Sequence, residues 1–287
     1  MRHSLLAKRF WVDDPKRFRL AVYDPAEVAG FEKDEAENLA LAHTRRMPDL
    51  QERLYAEHSW SLLIILQGID AAGKDSAIKH VMAGLNPQGC IVRPFKVPTT
   101  EELDHDFLWR AVKRLPPRGD IGIFNRSYYE EVLAVRVHRE RLKAQRLPPK
   151  LIGRRIWKER FEDINAFERH LLRNGTILIK FHLRISKGEQ KRRLLARLDD
   201  PTKRWKASMA DVADRTLWTR YMTAYEDMIR NTSTPEAPWY VVPADHKWFA
   251  RLVMATVMVD VLHELHLQFP KINPASVQQI RKALETD

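Results

Sequence analysis

Residues 68–76 read G-I-D-A-A-G-K-D-S. Gly68, Gly73 and Lys74 fit the spacing G-x-x-x-x-G-K, in which backbone N–H groups and a helix N-terminus cradle phosphate oxygens. Ala71, Ala72, Gly73, Lys74, Asp75 and Ser76 are therefore the expected phosphate-binding set. Two carboxylates depart from the usual pattern. Asp70 sits inside the loop, and Asp75 stands where Ser or Thr normally offers a hydroxyl to Mg²⁺. A carboxylate beside polyanionic phosphate is repelled unless a cation lies between, so Asp70 and Asp75 point to metal. Asp70 can hold Mg²⁺ or orient an attacking phosphate; its plainer reading is a turn residue bonding its own backbone. Asp75 can also interact with the helix dipole, leaving Ser76 to supply the hydroxyl one place later.

A second constellation is Ile123-Phe124-Asn125-Arg126-Ser127-Tyr128-Tyr129-Glu130. The end of this strand is expected to face the phosphates. Asn125 is a neutral oxygen ligand or hydrogen-bonder, and Glu130 is placed to reach metal or nucleotide. Arg126 can clamp a phosphoryl group in transfer, or make a structural salt bridge. His263 and His266 in H-E-L-H sit one residue too close together for a helical zinc motif. Cys90 reads as a small, partly buried hydrophobe, and Trp205 as packing or base-stacking.

These groups need a scaffold. Ser61–Gln67 is a short apolar run ending at Gly68, as in a strand buried on both faces of a parallel sheet. Further strands are expected at 90–95, 120–125, 176–185 and 239–242. Helices are expected at 74–85, 100–115, 157–173, 186–198, 208–231 and 246–267, with capping boxes at Thr99/Glu102 and Ser186/Glu189. A long polar helix over 32–57 is expected to break near Pro48. Alternating strands and helices imply an α/β protein with a five-stranded parallel sheet sandwiched between helices, with the loop after the first strand. The expected layout is a helical extension at 1–59, a kinase-type core at 60–269 with a mobile flap at about 135–156, and a tail at 270–287.

Composition narrows the partners. The chain has 287 residues, 44% hydrophobic, enough for a proper core. The longest aliphatic run, Leu62–Leu66, cannot span a bilayer, and the opening MRHSLLAKRFW lacks an apolar signal region. One cysteine excludes an internal disulfide; together these features suggest a cytoplasmic enzyme. The net charge is +11. Residues 136–160 hold ten Lys/Arg against two acids, and residues 180–206 hold ten against three. Two such stretches suit a focused polyanion.

The blocks GIDAAGKDS, FKVPT with HDFLWR, GIFNRSYYE, DDPTKRWK and TPEAPWYVV resemble the family 2 polyphosphate kinases, over about residues 50–270. That resemblance implies a P-loop α/β/α sandwich with a helical lid, and phosphoryl transfer between inorganic polyphosphate and a nucleotide with Mg²⁺. Asp70, Lys74, Asp75 and Ser76 match the family's Walker A motif. Asp70, Lys74 and Arg126 are the implied catalytic groups, and Asn125, Arg126 and Glu130 the implied nucleotide-binding ones. N-R-S-Y-Y-E-E, where many relatives carry D-R-S-W-Y-N-R, resembles the subgroup that accepts AMP and ADP and makes ATP. Arg136–Arg160 would be a lid over a polyphosphate channel, with Lys180, Arg184, Lys187, Lys203 and Arg204 along its floor. No nucleic acid and no membrane partner is expected, and the extension suits a homo-oligomer. The rival readings are an ATP-dependent nucleoside monophosphate kinase and a non-catalytic binder of polyanion or nucleic acid.

Overall fold

A computed structural model describes residues 4–286, so the first three residues of the expected extension and the last of the expected tail lie outside it. In chain order come α1 (Leu5–Phe10), α2 (Lys33–Glu57), β1 (Ser61–Gln67), α3 (Lys74–Val81) and β2 (Cys90–Pro94). Then follow α4 (Thr100–Leu103), α5 (Trp109–Val112), β3 (Ile121–Asn125), α6 (Ala134–Val137), α7 (Arg139–Ala144), α8 (Ile156–Arg173) and β4 (Thr176–Arg184). The chain closes with α9 (Lys187–Asp199), α10 (Met209–Thr216), α11 (Trp218–Thr232), β5 (Trp239–Pro243), α12 (Lys247–Glu264) and α13 (Pro274–Glu285).

The five strands form one parallel sheet in the order β2-β3-β1-β4-β5. β1 is central and every residue of it is buried, which is why it reads as an unbroken apolar run. Its neighbours β3 and β4 lie on opposite sides, so the chain leaves β1 at the point where strand order reverses. Loops at such a point gather at the carboxyl ends of the strands and leave a crevice. Right-handed crossovers put α3 on one face and α8 and α11 on the other. α12, almost wholly buried, packs between α2 and the sheet on the α3 face.

Three expectations change. α2 runs unbroken through Pro48, because Met47, Leu50 and Leu54 are buried along α12 and packing holds the helix across the lost N–H. The helix expected at 100–115 is two short ones, separated where Asp106 accepts from the Leu108 N–H. The helix expected at 208–231 breaks at Leu217 into α10 and α11. The expected extension packs on the core. Val12 N–H donates to the Trp239 carbonyl at 2.9 Å, and Phe10, Phe18 and Leu20 join the same core as the sheet. Among the described residues no helix is long and apolar enough to cross a membrane. Cys90 is half-buried, and burial, then Asp120, pushes its thiol up to about 11.

Candidate active site

The loop after β1 closes tightly. A side chain at Gly68 would meet the Leu183 carbonyl at 2.9 Å, so glycine is required there. Ala71 and Gly73 take left-handed φ of 64° and 104°, turning the backbone into the first turn of α3. Lys74 opens that helix and is buried. Its ammonium curls back onto the loop, donating to the Gly68 carbonyl at 2.5 Å and to that of Ile69 at 3.3 Å. Burial, reinforced by the Arg126 charge, lowers its pKa to about 8.

β3 delivers the opposing groups. Arg126 follows its last residue with a left-handed φ of 62°, anchored by its N–H on the Leu66 carbonyl at 3.0 Å. That uncommon backbone aims the guanidinium across the loop, where it pairs with Asp70 and lies 3.9 Å from Glu130. Burial pushes the Asp70 carboxyl up, but the charges of Arg126 and Lys74 outweigh it and leave Asp70 below its ordinary range. Burial raises the Glu130 carboxyl against the same two cations. With its amide oriented to satisfy both neighbours, Gln67 donates to Glu130 at 3.0 Å and accepts from the Ser127 N–H at 3.1 Å. Asn125 donates to Asp75 at 2.8 Å, and Lys206 reaches the same carboxylate at 3.0 Å. Burial acts to raise the Asp75 carboxyl, but these two hydrogen bonds and the lysine charges leave it lowered.

Both loop carboxylates are thus ionised oxygen donors beside the phosphate cradle. Among the described residues no three His, Cys, Asp or Glu side chains gather as a metal cage. Two carboxylates without a cage suit Mg²⁺, a hard cation that takes one or two carboxylates and completes its shell with phosphate and water.

Sequence reasoning missed the brace behind the loop. α9 turns Gln190 and Arg193 onto the loop carbonyls. Gln190 Nε2 donates to Asp70 O at 3.1 Å, and Arg193 Nη1 to Ala71 O at 3.1 Å and Ala72 O at 2.8 Å. The same guanidinium bonds Glu189 at 2.6 Å, Asp245 O at 3.1 Å and Ala244 O. Three successive loop carbonyls, of Asp70, Ala71 and Ala72, are thus held by side chains of α9. The signal was local: Gln190 and Arg193 are one turn apart, just after the Ser186 cap. Their target lies 122 residues away, and nothing local shows that.

The other expected groups are dispersed. Ser76 Oγ accepts from Arg251 at 3.2 Å, beside α12. Arg184 donates to Tyr23 O at 2.7 Å, Lys203 pairs with Asp200, and Arg204 donates to Leu198 O at 2.6 Å. Lys187 is exposed on the first turn of α9. Lys180 lines no channel floor. It is fully buried, 2.6 Å from Glu168 and 2.7 Å from the Thr232 carbonyl, and Glu168 also accepts from Tyr128 and Tyr129 at 2.8 and 2.6 Å. This knot anchors the turn that carries Glu130. Trp205, expected to pack or stack, is 78% exposed.

A cavity of about 190 Å³ opens beside Arg126 and Glu130, walled by Phe95, Val97, Glu102 and Arg141. Residues 135–156, expected as a lid, supply part of this wall through Val135, Ala144 and Gln145. Lys206, outside that expected lid, reaches Asp75 from the turn at 203–206. The loop, two cations, two carboxylates and the adjoining cavity of about 190 Å³ thus gather at one place.

The family model for polyphosphate kinase 2 matches residues 30–270. The chain belongs to that family. It is 44% identical over 280 residues to an ADP-polyphosphate phosphotransferase of Rhodopseudomonas palustris, covering 96% of each. It is 44% identical over 271 residues to an AMP/ADP-polyphosphate phosphotransferase of Meiothermus ruber, covering 94% of this chain and 97% of that one. The crystal structure of polyphosphate kinase 2 from Arthrobacter aurescens superposes with a TM-score of 0.87 at 40% identity, over 98% of this chain and 97% of that one. The expected fold and family stand, and the protein is a phosphotransferase.

Proposed function

We propose that this protein moves the terminal phosphoryl group of inorganic polyphosphate onto AMP and ADP, reversibly and with Mg²⁺. The carrying observation is the pairing of Lys74 and Arg126 across one loop, with Asp70 between them.

The acceptor phosphate is already ionised and needs no strong base, so the protein's task is positioning and charge neutralisation. The loop N–H groups hold the phosphates, helped by the positive end of α3. Lys74 leaves the loop carbonyls to bridge them. Arg126 exchanges Asp70 for the phosphoryl in flight, neutralising charge as it spreads. Asp70 and Asp75 would hold Mg²⁺, which supplies charge neutralisation between phosphate oxygens when bound. Glu130 and Asn125 face the acceptor side, and the cavity beside Arg126 takes the nucleoside. Transfer is direct and in line, with no covalent enzyme intermediate. The N-R-S-Y-Y-E-E variant and the 44% identity to an AMP/ADP-polyphosphate phosphotransferase support acceptance of both AMP and ADP. Exposed apolar groups on α2 (Leu39, Leu41) and α13 (Val277, Ile280, Leu284) support a homo-oligomer. We place the protein in the cytoplasm, with polyphosphate rather than nucleic acid or a membrane as its polyanionic partner.

The test is incubation with Mg²⁺, polyphosphate and AMP, without ATP, followed by chromatography. ADP and then ATP are expected. Conversion of ADP alone refutes the AMP step. No product until ATP is added makes this an ATP-dependent nucleotide kinase.

A further inference from the structure

Every residue of α10, from Met209 to Thr216, is at least partly exposed. Apolar burial therefore does not place this short helix, and polar ties must. On one side, Arg197 of α9 donates to Asp211 at 3.1 Å. Arg215 donates to the Lys187 carbonyl at 2.6 Å and to Gln190 Oε1 at 3.0 Å. Gln190 is the α9 side chain whose amide nitrogen holds the Asp70 carbonyl. On the other side, Asp214 accepts from His138 Nε2 at 2.6 Å. Asp214 and Arg215, neighbours in sequence, thus join α10 to two different parts of the site.

His138 is the residue between α6 and α7. Its Nδ1 meets Glu140 at 3.2 Å, and the Tyr221 ring of α11 lies 6.2 Å away, edge to face. Carboxylate oxygens only accept, so a ring that serves both acids needs N–H on both nitrogens, as in the imidazolium. The Glu140 side chain is 73% exposed and adds little. The Asp214 bond, with both partners mostly shielded, carries the tie. Helices as short as α6 and α7, of four and six residues, do not hold their place unaided. Yet Ala134, Val135, Arg141 and Ala144, on either side of His138, wall the cavity beside Arg126. Fixing His138 therefore fixes that wall. A run of hydrogen bonds leads from it to the loop: His138 to Asp214, then Arg215 to Gln190, then Gln190 to the Asp70 carbonyl.

We propose that His138 is a positioning residue for phosphoryl transfer, holding the wall of the acceptor cavity in register with the loop through Asp214, Arg215 and Gln190. This rests on the reading above that the cavity takes the nucleoside. The test is a kinetic cycle with polyphosphate and ADP, run well below the melting temperature of every variant. It compares wild type, His138→Phe, Arg215→Met and the double variant. Each single change should lower kcat about tenfold and leave the KM for polyphosphate near its wild-type value. The double variant should lose no more than the worse single one, because one broken link already frees the strut. His138→Lys keeps the charge and a donor for Asp214, and should recover most of the loss. Losses that multiply in the double variant overturn the proposal, as does a wild-type kcat in either single variant. A loss that His138→Lys does not recover marks a role in packing alone and overturns it too. Val135→Trp tests the underlying reading separately, since it fills the cavity and should abolish ADP binding in calorimetry. ADP binding that survives this change places the nucleoside elsewhere, which removes the wall's role whatever the cycle gives.

Discussion

Lys74→Met should make this protein more stable while silencing it. In the free protein the Lys74 ammonium is buried, and its pKa is drawn from 10.5 to about 8. Holding it charged at neutral pH therefore costs roughly 3 kcal/mol. Methionine has a similar shape and removes that cost. It also leaves the Gly68 and Ile69 carbonyls without their donor, which offsets about 1–2 kcal/mol. The net gain is about 1–2 kcal/mol, a rise in Tm of about 3–5 °C for a chain of this size. The folded pKa lies below the unfolded one, so between pH 8 and 10.5 the unfolded chain binds more protons and wild-type stability rises with pH. The advantage of the variant should therefore shrink across that window. Thermal melts at pH 7 and pH 10, without phosphate, read both effects. Turnover should fall at least about a hundredfold. A variant that melts at or below wild type at pH 7, or an advantage that grows towards pH 10, would refute a desolvated Lys74.

Three further outcomes follow from the same geometry. Glu168→Ala strands the fully buried Lys180 ammonium and should cost about 3–5 kcal/mol in a denaturant titration, with a wild-type midpoint refuting the buried pair. Arg193→Lys cannot hold both Ala71 and Ala72 carbonyls with the planar fork; Tm should fall by several degrees and kcat about tenfold in protein still folded at the assay temperature, whereas a wild-type kcat would detach the brace from the reaction. Lys206→Ala removes an exposed contact to Asp75, so Tm should move little while the KM for polyphosphate rises about threefold; an unchanged KM would detach residues 203–206 from the donor.

Much of the scaffold was legible because it is local. The apolar run into Gly68 is a strand buried on both faces, and Thr99 and Glu102 form their capping box; at Ser186 the side chain caps the Glu189 N–H, but the Ser186 N–H goes to Asp245 instead of Glu189, so that box is half made. Helix breaks were less visible: Asp106 and Leu217 interrupt runs whose periodicity alone reads as continuous. Lys180 shows a deeper limit. Its sequence neighbours are apolar, yet a lysine in a strand reads as surface until Glu168 appears opposite. In the site, the loop and Arg126 were readable from motif spacing. The partners of Asp75 and of the loop carbonyls were not, because Lys206 and Arg193 arrive from more than a hundred residues away. Backbone geometry cannot be read from residue type either: Arg126 adopts a left-handed φ that its side chain does not favour.

The brace on α9 also bears on how such proteins can be recombined. One end of that helix grips the loop through Gln190 and Arg193, and the chain beyond its other end returns as Lys206 to Asp75. The glycine motif and residues 186–206 are therefore a single heritable unit split across the sequence. A chimera that exchanges residues 200–206 alone keeps the donor's charges but joins them to a foreign helix. A crossover placed before Ser186 carries helix and basic turn together, provided that the loop they clasp travels with them.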